Sequence, residues 1–167
     1  IRVTTGGTNL TFTGNVLGGA EPDGGNRPPH AIEFRPEAQA RNVTITANSF
    51  NWITRSPVYF ASAAEQITVS ANSFVHWNLD AEERWGAIRV NGDAAGVSIV
   101  GNVFGSNTVP EAPPVRVVGA LSGSTIIGNT FDNTAGVLYA ESLGDENYVE
   151  RRSAGANGPS RRRTRSP

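Results

Sequence analysis

The chain contains no cysteine, no methionine and no lysine among its 167 residues. Without cysteine it can form neither a disulfide framework nor a thiolate metal site or nucleophile, so its thiol content says nothing about its compartment. It also lacks any apolar run of about 18 residues, the length that a membrane-spanning helix needs. We therefore predict no membrane partner. Because lysine is absent, all 14 cationic side chains are arginine.

The remaining composition favours short strands joined by many turns. Only 38% of the residues are hydrophobic, whereas 19 are glycine and 10 are proline. A chain of this length is long enough to bury a core within one domain. It starts directly on an apolar alternation at Ile1–Val3, with no signal-like segment, so we expect upstream coils to be missing.

The net charge of −1 hides an asymmetry along the chain. Residues 1–143 carry 8 Arg against 12 acidic residues, whereas residues 144–167 carry 6 Arg against 3. The second segment lacks apolar periodicity, so we predict a folded domain over 1–143 and a disordered basic tail over 144–167. A basic tail can contact nucleic acid or an anionic membrane, but an unstructured end is the simpler interpretation, and we predict no nucleic-acid partner.

One short motif, apolar-x-apolar-x-x-Asn-x-Phe, recurs five times, with Leu17 in place of Phe in the first copy and Ser124 at the first apolar position of the last. Its asparagines are spaced by 33, 24, 30 and 27 residues, a period typical of solenoids. The apolar positions alternate with period two, which predicts strands rather than helices. The asparagines and the large apolar residues two positions later are Asn15/Leu17, Asn48/Phe50, Asn72/Phe74, Asn102/Phe104 and Asn129/Phe131.

Stacked coils explain why both of these positions recur. A turn needs a residue that tolerates the left-handed conformation and whose amide can bond its copy in the next coil, so the asparagines should form a ladder. The phenylalanines should form an internal aromatic stack. Neither row is expected to bind a ligand.

A second short strand precedes each copy of the motif. The distance from this strand to the motif is 9 residues in four copies and 11 in one, whereas the return from each asparagine to the next strand varies from 8 to 17. Fixed spacing indicates stacked strands in register, and variable spacing indicates loops on one side, where solenoids usually place function. The strands are Ile1–Val3, Ile32–Phe34, Val58–Phe60, Ile88–Val90, Val115–Val117 and Val137–Tyr139.

These units resemble the right-handed parallel β-helix of the pectate-lyase-like superfamily. The resemblance covers residues 1–143 and implies an all-β, right-handed parallel β-helix of about five coils. It implies that the preceding strands form the first sheet and that the asparagine ladder lies between the second and third sheets. It further implies a polysaccharide partner along the outer face of the first sheet, and an extracellular or cell-surface location.

The middle residues of the first-sheet strands should point outward as one column, with Arg35 and Asn91 widening it. Arginine binds carboxylates through paired hydrogen bonds, so the column is a candidate groove for acidic sugars. The alternative is a solvated face in which Arg2, Glu33 and Arg35 only form ion pairs. The expected column is Arg2, Glu33, Tyr59, Arg89, Arg116 and Leu138.

The variable loops add aromatic and acidic candidates for substrate binding. A tryptophan beside carboxylates offers a sugar both an apolar face and hydrogen-bond acceptors. The alternative is that these rings cover the ends of the core. The candidates are Trp52, His76, Trp77, Asp80 and Trp85, the last four of which lie in or beside "HWNLDAEERW".

The resemblance also suggests a reaction. Lyases of this superfamily often use an arginine or lysine base with calcium, and Arg89 or Arg116 matches that arginine in position. In those lyases acidic residues of the first sheet hold the calcium, whereas Glu33 is the single carboxylate in this column. Calcium is therefore a possible cofactor, but no metal ligand is assigned. The acid pairs of glycosidases and the Asp-Pro-His-Asp motif of alginate epimerases are absent. We therefore take Arg89, Arg116 and Glu33 as the catalytic candidates.

Three other interpretations remain. The first is a non-catalytic structural or adhesive rod, such as a surface protein or a phage tailspike segment, which can be a homo-oligomer. Outward Thr-x-Thr pairs at Thr11/Thr13 and Thr44/Thr46 resemble ice-binding solenoids, although the pattern decays in later coils. The third is a metal site at His30 and His76, but the spacing of these residues is not that of metal ligands.

Overall fold

The computed structural model describes residues 1–19, 27–82, 84–105, 109, 112–132 and 136–150. In these ranges the regular structure is eighteen short strands and no helix. They wind into a parallel β-solenoid of about five coils, which confirms the predicted all-β fold. No membrane-crossing helix is found in the described part of the chain. Residues 151–167 of the predicted tail lie outside the described residues.

Each coil contributes strands to three rows. The first row holds β1 (Arg2–Val3), β4 (Ile32–Phe34), β7 (Val58–Phe60), β10 (Ile88–Val90), β14 (Val115–Ser122) and β17 (Leu138–Leu143). The second holds β2 (Thr8–Thr13), β5 (Ala40–Thr46), β8 (Ala64–Ser70), β11 (Ala94–Ala95), β12 (Ser98–Val100), β15 (Thr125–Ile127) and β18 (Tyr148–Val149). The third holds β3 (Val16–Gly18), β6 (Ser49–Asn51), β9 (Ser73–Val75), β13 (Val103–Phe104) and β16 (Thr130–Phe131).

Every strand pairs in parallel with its counterpart in the next coil. The first two rows join into one 13-stranded sheet, because the long strand β14 pairs with both β10 and β11, and the third row is a separate 5-stranded sheet. Within β8, Ile67 and Val69 are buried while Thr68 and Ser70 are half-buried. A strand this short cannot bury an apolar face alone, so stacking supplies the core.

The predicted aromatic stack is confirmed inside the third row. The ring centroids of Phe50 and Phe74 are 4.8 Å apart, those of Phe74 and Phe104 are 4.9 Å apart, and those of Phe104 and Phe131 are 5.3 Å apart. Phe50, Phe74 and Phe104 are fully buried. The stack repeats because each ring lies directly above its copy in the preceding coil.

The asparagine ladder is confirmed as well, with one correction. The backbone N–H of each asparagine donates to the side-chain oxygen of the next, at 2.9–3.0 Å, and Asn48, Asn72 and Asn102 are buried. The prediction that the asparagines themselves adopt the left-handed conformation was wrong. That conformation falls one residue earlier, with φ between 53° and 68°, at Gly14, Ala47, Ala71, Gly101 and Gly128.

The last coil differs from the expected register. Arg116 pairs with Tyr139, so Tyr139 rather than Leu138 joins the outward column, and Leu138 packs against the core. Val137, Leu138 and Tyr139 are all apolar or aromatic, so this run has no alternation from which the register could be predicted. The described strands also continue beyond residue 143, because Tyr148–Val149 pairs with β15.

Candidate functional site

The first row places the predicted column side by side on one outer face. The register joins Arg2 to Glu33, Glu33 to Tyr59, Tyr59 to Arg89 and Arg89 to Arg116. Neighbouring strands in such a row are about 4.8 Å apart, so each side chain is next to its copies above and below. The column has two chemically different ends, one around Glu33 and one around Arg89.

The Glu33 end is self-neutralised. Arg2 Nε donates to Oε2 of Glu33 at 2.8 Å, and Arg35 Nη1 donates to Oε1 at 3.0 Å. Burial raises the pKa of Glu33, but the hydrogen bonds from Arg35 and Arg2 outweigh it and hold the pKa below its usual value. The group therefore stays ionised with both oxygens occupied, which suits an ion-pair cluster better than the catalytic role expected of Glu33.

The carboxylates near the first row do not fit a calcium site. Both oxygens of Glu33 are bonded to arginine, and Oδ1 of Asp93 accepts the backbone N–H of Ala120 at 2.8 Å. In the part of the chain that the structure describes, no three acidic or histidine side chains gather where they could hold a metal ion. Calcium ligation needs several converging oxygens, which these two carboxylates do not provide.

Trp85 lies at the centre of the other end, and the residue is buried, with 7% of its surface exposed. The guanidinium carbons of Arg84 and Arg89 lie 4.9 Å from the ring centroid, and that of Arg55 lies at 5.1 Å. Guanidinium groups at this distance are attracted to the ring face. The residues that bring them there come from three different places, the loop after β6, the loop before β10 and β10 itself.

Two carboxylates partly offset these cations. Arg55 Nε donates to Oδ2 of Asp80 at 2.8 Å, and Glu82 forms an ion pair with Arg84. Arg89 has no carboxylate partner among the described residues. Its Nη1 donates to the carbonyl oxygen of Arg84 and its Nη2 to Oδ1 of Asn91, at 3.1 Å in the second case. Next to it in register is Arg116, whose guanidinium lies 4.2 Å from the ring centroid of Tyr139.

Two hydrogen-bond donors in this group are buried without an acceptor, Nε1 of Trp85 and Nε of Arg89. Burial lowers the pKa of Arg89; Tyr59 opposes that shift, while the charges of Arg116 and Arg84 reinforce it. An unmet buried donor costs about 1–3 kcal/mol. The group thus carries positive charge, and these two of its N–H groups have no acceptor among the described residues.

His30 completes the cluster, although it was not among the predicted site residues. Its ring stacks on Tyr59 with centroids 4.4 Å apart and meets Trp85 edge-on at 5.7 Å. Its Nδ1 lies 2.8 Å from the carbonyl oxygen of Ser56. One signal in the sequence could have identified it, because His30 lies two residues before a first-row strand and so at the rim of the outer face.

The structure brings Trp52 and His76 together, but with each other rather than with Trp85. Their rings stack with centroids 4.2 Å apart, and the guanidinium carbon of Arg27 lies 5.4 Å from the Trp52 ring. Both residues have positive φ, 56° and 51°, directly after a third-row strand. They occupy equivalent places in successive coils and form a second, separate aromatic pair.

Trp77 does not reach the surface at all. Its side chain is fully buried in the core, so the expectation that it contacts a ligand is corrected in favour of the core-covering alternative. The neighbouring Asn78 is also fully buried. The loop folds inward here because its backbone joins the preceding coil, where Asn78 N–H donates to the carbonyl oxygen of Arg55 at 3.1 Å.

Comparisons with known proteins identified no relative of this chain. A scan against protein-family models found no match, and searches of curated proteins and of solved structures found none either. The superfamily resemblance therefore stays a prediction, while the parallel β-solenoid stands on the structure itself.

Proposed function

We propose that this chain is an extracellular or cell-surface carbohydrate-binding β-helix module that takes an acidic polysaccharide along the outer face of the first row. The observation that carries the proposal is the group of three arginines around Trp85, in which Arg89 has no carboxylate partner among the described residues. A carboxylate only accepts hydrogen bonds and carries negative charge, so it complements this group in both respects.

The charge balance supports an acidic ligand. Arg55, Arg84 and Arg89 surround Trp85, and Asp80 and Glu82 offset the first two of them. Arg89 is left with neutral acceptors only in the described part of the chain. A guanidinium in this situation gains the most from a bound carboxylate.

The aromatic rings support a sugar as the carrier of that charge. Tyr59 is half-buried next to Arg89 in register, and Tyr139 is 40% exposed at the far end of the column. From Tyr59 to Tyr139 the register passes through Arg89 and Arg116, three coil steps or roughly 14 Å. Two cations flanked by two aromatic rings over that length suit several linked acidic sugar units.

The test is a binding assay on the whole chain. Polygalacturonate, alginate and a neutral galactan would be titrated by calorimetry at low and at high salt. We expect the acidic polymers to bind and their affinity to fall as the salt concentration rises. The neutral galactan should not bind. Arg89→Ala should weaken binding at least tenfold.

A matched control is Arg41→Ala. Arg41 is an exposed arginine paired with Glu65 at 2.7 Å in the second row, away from the outer face of the first. Its removal takes away the same charge but should leave affinity unchanged. Equal losses in both variants would mean a non-specific charge effect and would contradict a defined site. Absence of binding to every acidic polymer would overturn the proposal.

The rival function is a non-catalytic structural or adhesive rod. The observation in its favour is the Arg2–Glu33–Arg35 cluster, whose charges satisfy one another and need no ligand. In that function Arg89 only packs on Trp85. Arg89→Ala would then lower the stability of the fold without changing affinity for any glycan.

A further inference from the structure

We propose that His30 is the proton-accepting group of this surface, and that Arg89 supplies positive charge instead of accepting the proton. The inference rests on the proposed function and extends it from binding to cleavage of the acidic polysaccharide. It departs from the expectation that Arg89 or Arg116 is the base. Three features of the cluster support it: the tautomer of His30, its surroundings, and the bonding of Arg89.

The hydrogen bond to Ser56 determines the tautomer of His30. Nδ1 lies 2.8 Å from the carbonyl oxygen of Ser56, and a carbonyl oxygen can only accept a hydrogen bond. Nδ1 must therefore carry the proton, and in the neutral ring Nε2 keeps its lone pair. Nε2 has no hydrogen-bond partner among the described residues, so it is available to take up a proton.

The groups around His30 keep the ring in place and favour its neutral form. Tyr59 stacks against one face and Trp85 meets the ring edge-on. Burial lowers the pKa of His30; the Ser56 hydrogen bond and Glu33 oppose this, and Arg55 and Arg89 add to it, with a net lowering. A neutral imidazole near the positive charges of Arg55 and Arg89 is a suitable general base near neutral pH.

Arg89 is bonded as a cation. Its Nη1 and Nη2 donate to the carbonyl oxygen of Arg84 and the amide oxygen of Asn91. Arginine effectively stays protonated in proteins, and the guanidinium has no lone pair with which to accept a proton. Arg89 is therefore suited to neutralise the carboxylate of a bound uronate, which makes the hydrogen on the neighbouring carbon more acidic.

The step we propose is an elimination, and it needs no co-reactant. Nε2 of His30 takes the proton from the carbon that bears the carboxyl group. The electron pair of that C–H bond forms a double bond to the adjacent ring carbon, and the bond from that carbon to the linking oxygen breaks. The departing oxygen receives the proton from the imidazolium, directly or through water. The products are a shortened chain and an unsaturated uronate, which absorbs in the ultraviolet.

The experiment measures binding and product formation on the same samples. The whole chain would be mixed with polygalacturonate or alginate, with affinity read by calorimetry and product by ultraviolet absorbance. We expect His30→Gln to lower the rate at least a hundredfold while affinity stays within about threefold of the unmodified chain. Arg89→Ala should lower both, and Arg41→Ala neither.

The pH profile gives a second readout. Because the base must be neutral, the rate should rise with pH as His30 loses its proton, and His30→Gln should lack that rise. His30→Phe keeps a ring against Tyr59 and serves as a second variant if His30→Gln does not fold. A rate that survives both substitutions overturns the inference.

Failures of the two proposals are distinguishable. A chain that binds acidic polymers but forms no product overturns the role of His30 and leaves the binding proposal standing. A folded chain that binds none of them overturns the proposed function, and the inference with it.

Discussion

Oδ1 of Asn102 accepts two hydrogen bonds from Asn72, one from its backbone N–H at 2.9 Å and one from its Nδ2 at 3.0 Å. Asn72 in turn accepts the same two bonds from Asn48, and its Nδ2 also donates to the carbonyl oxygen of Ile45. Asn72→Ala would remove the acceptor of both bonds from Asn48 and the donor to Ile45 and Asn102, all in the buried interior. We expect it to lower the free energy of unfolding by about 3 kcal/mol, measured by urea denaturation.

The control is Asn15→Ala at the first position of the ladder. Asn15 is only half-buried and donates to Asn48, so water can replace much of what it loses. We expect a loss of about 1 kcal/mol. Equal losses at Asn15 and Asn72 would show that the ladder stabilises the fold no more inside the solenoid than at its end.

Two glycines of the first coil should respond very differently to alanine. A Cβ added at Gly18 would lie 1.9 Å from the carbonyl oxygen of Asn51, so the backbone of one coil must move. A Cβ at Gly14 would meet nothing within 4 Å, and Ala47 and Ala71 already adopt its positive φ in later coils.

We expect Gly18→Ala to lower the melting temperature by roughly 5 °C or more and Gly14→Ala by no more than about 3 °C. Differential scanning calorimetry would measure both. If Gly14→Ala were the more damaging change, the close approach of β3 to β6 would not be the reason that a glycine stands at residue 18.

Glu33 should make the stability of the fold depend on acid pH. Its pKa in the folded chain is held below the usual 4.5, so the stabilisation is complete above that value and is lost as the pH falls through the lower, folded pKa. Urea denaturation between pH 6 and pH 3 should show a steeper loss for the unmodified chain than for Glu33→Gln. Glu65→Gln, which removes the carboxylate of an exposed ion pair with Arg41, is the matched control for the loss of one acidic side chain.

Asp80→Asn should strengthen the binding of acidic polymers. Asp80 holds Arg55 at 2.8 Å beside Trp85, and its removal raises the net positive charge of the cluster without removing a donor. We expect a gain of about two- to fivefold at low salt that disappears at high salt. Calorimetric titration of polygalacturonate would measure it, and a loss of affinity would mean that the carboxylate contacts the sugar directly.

The repeating half of the molecule was predictable, and the looped half was not. In every coil a large apolar residue follows the ladder asparagine by two positions, as Phe74 follows Asn72, so the repeat alone was enough to place both rows. The register of the last strand could not be predicted because Val137–Tyr139 lacks alternation. The burial of Trp77 and the meeting of His30 with Trp85 could not be predicted either, because these loops differ from coil to coil and their paths depend on tertiary packing.

The parallel pairing of every strand with its copy in the next coil has a mechanical consequence. The hydrogen bonds of all three rows point along the axis of the solenoid, so tension between its two ends loads them one layer after another instead of all at once. Each layer is held mainly by its immediate neighbours. Under axial pulling the molecule should therefore unzip coil by coil at low force, whereas a force applied across the axis must shear whole strands together and should meet much greater resistance.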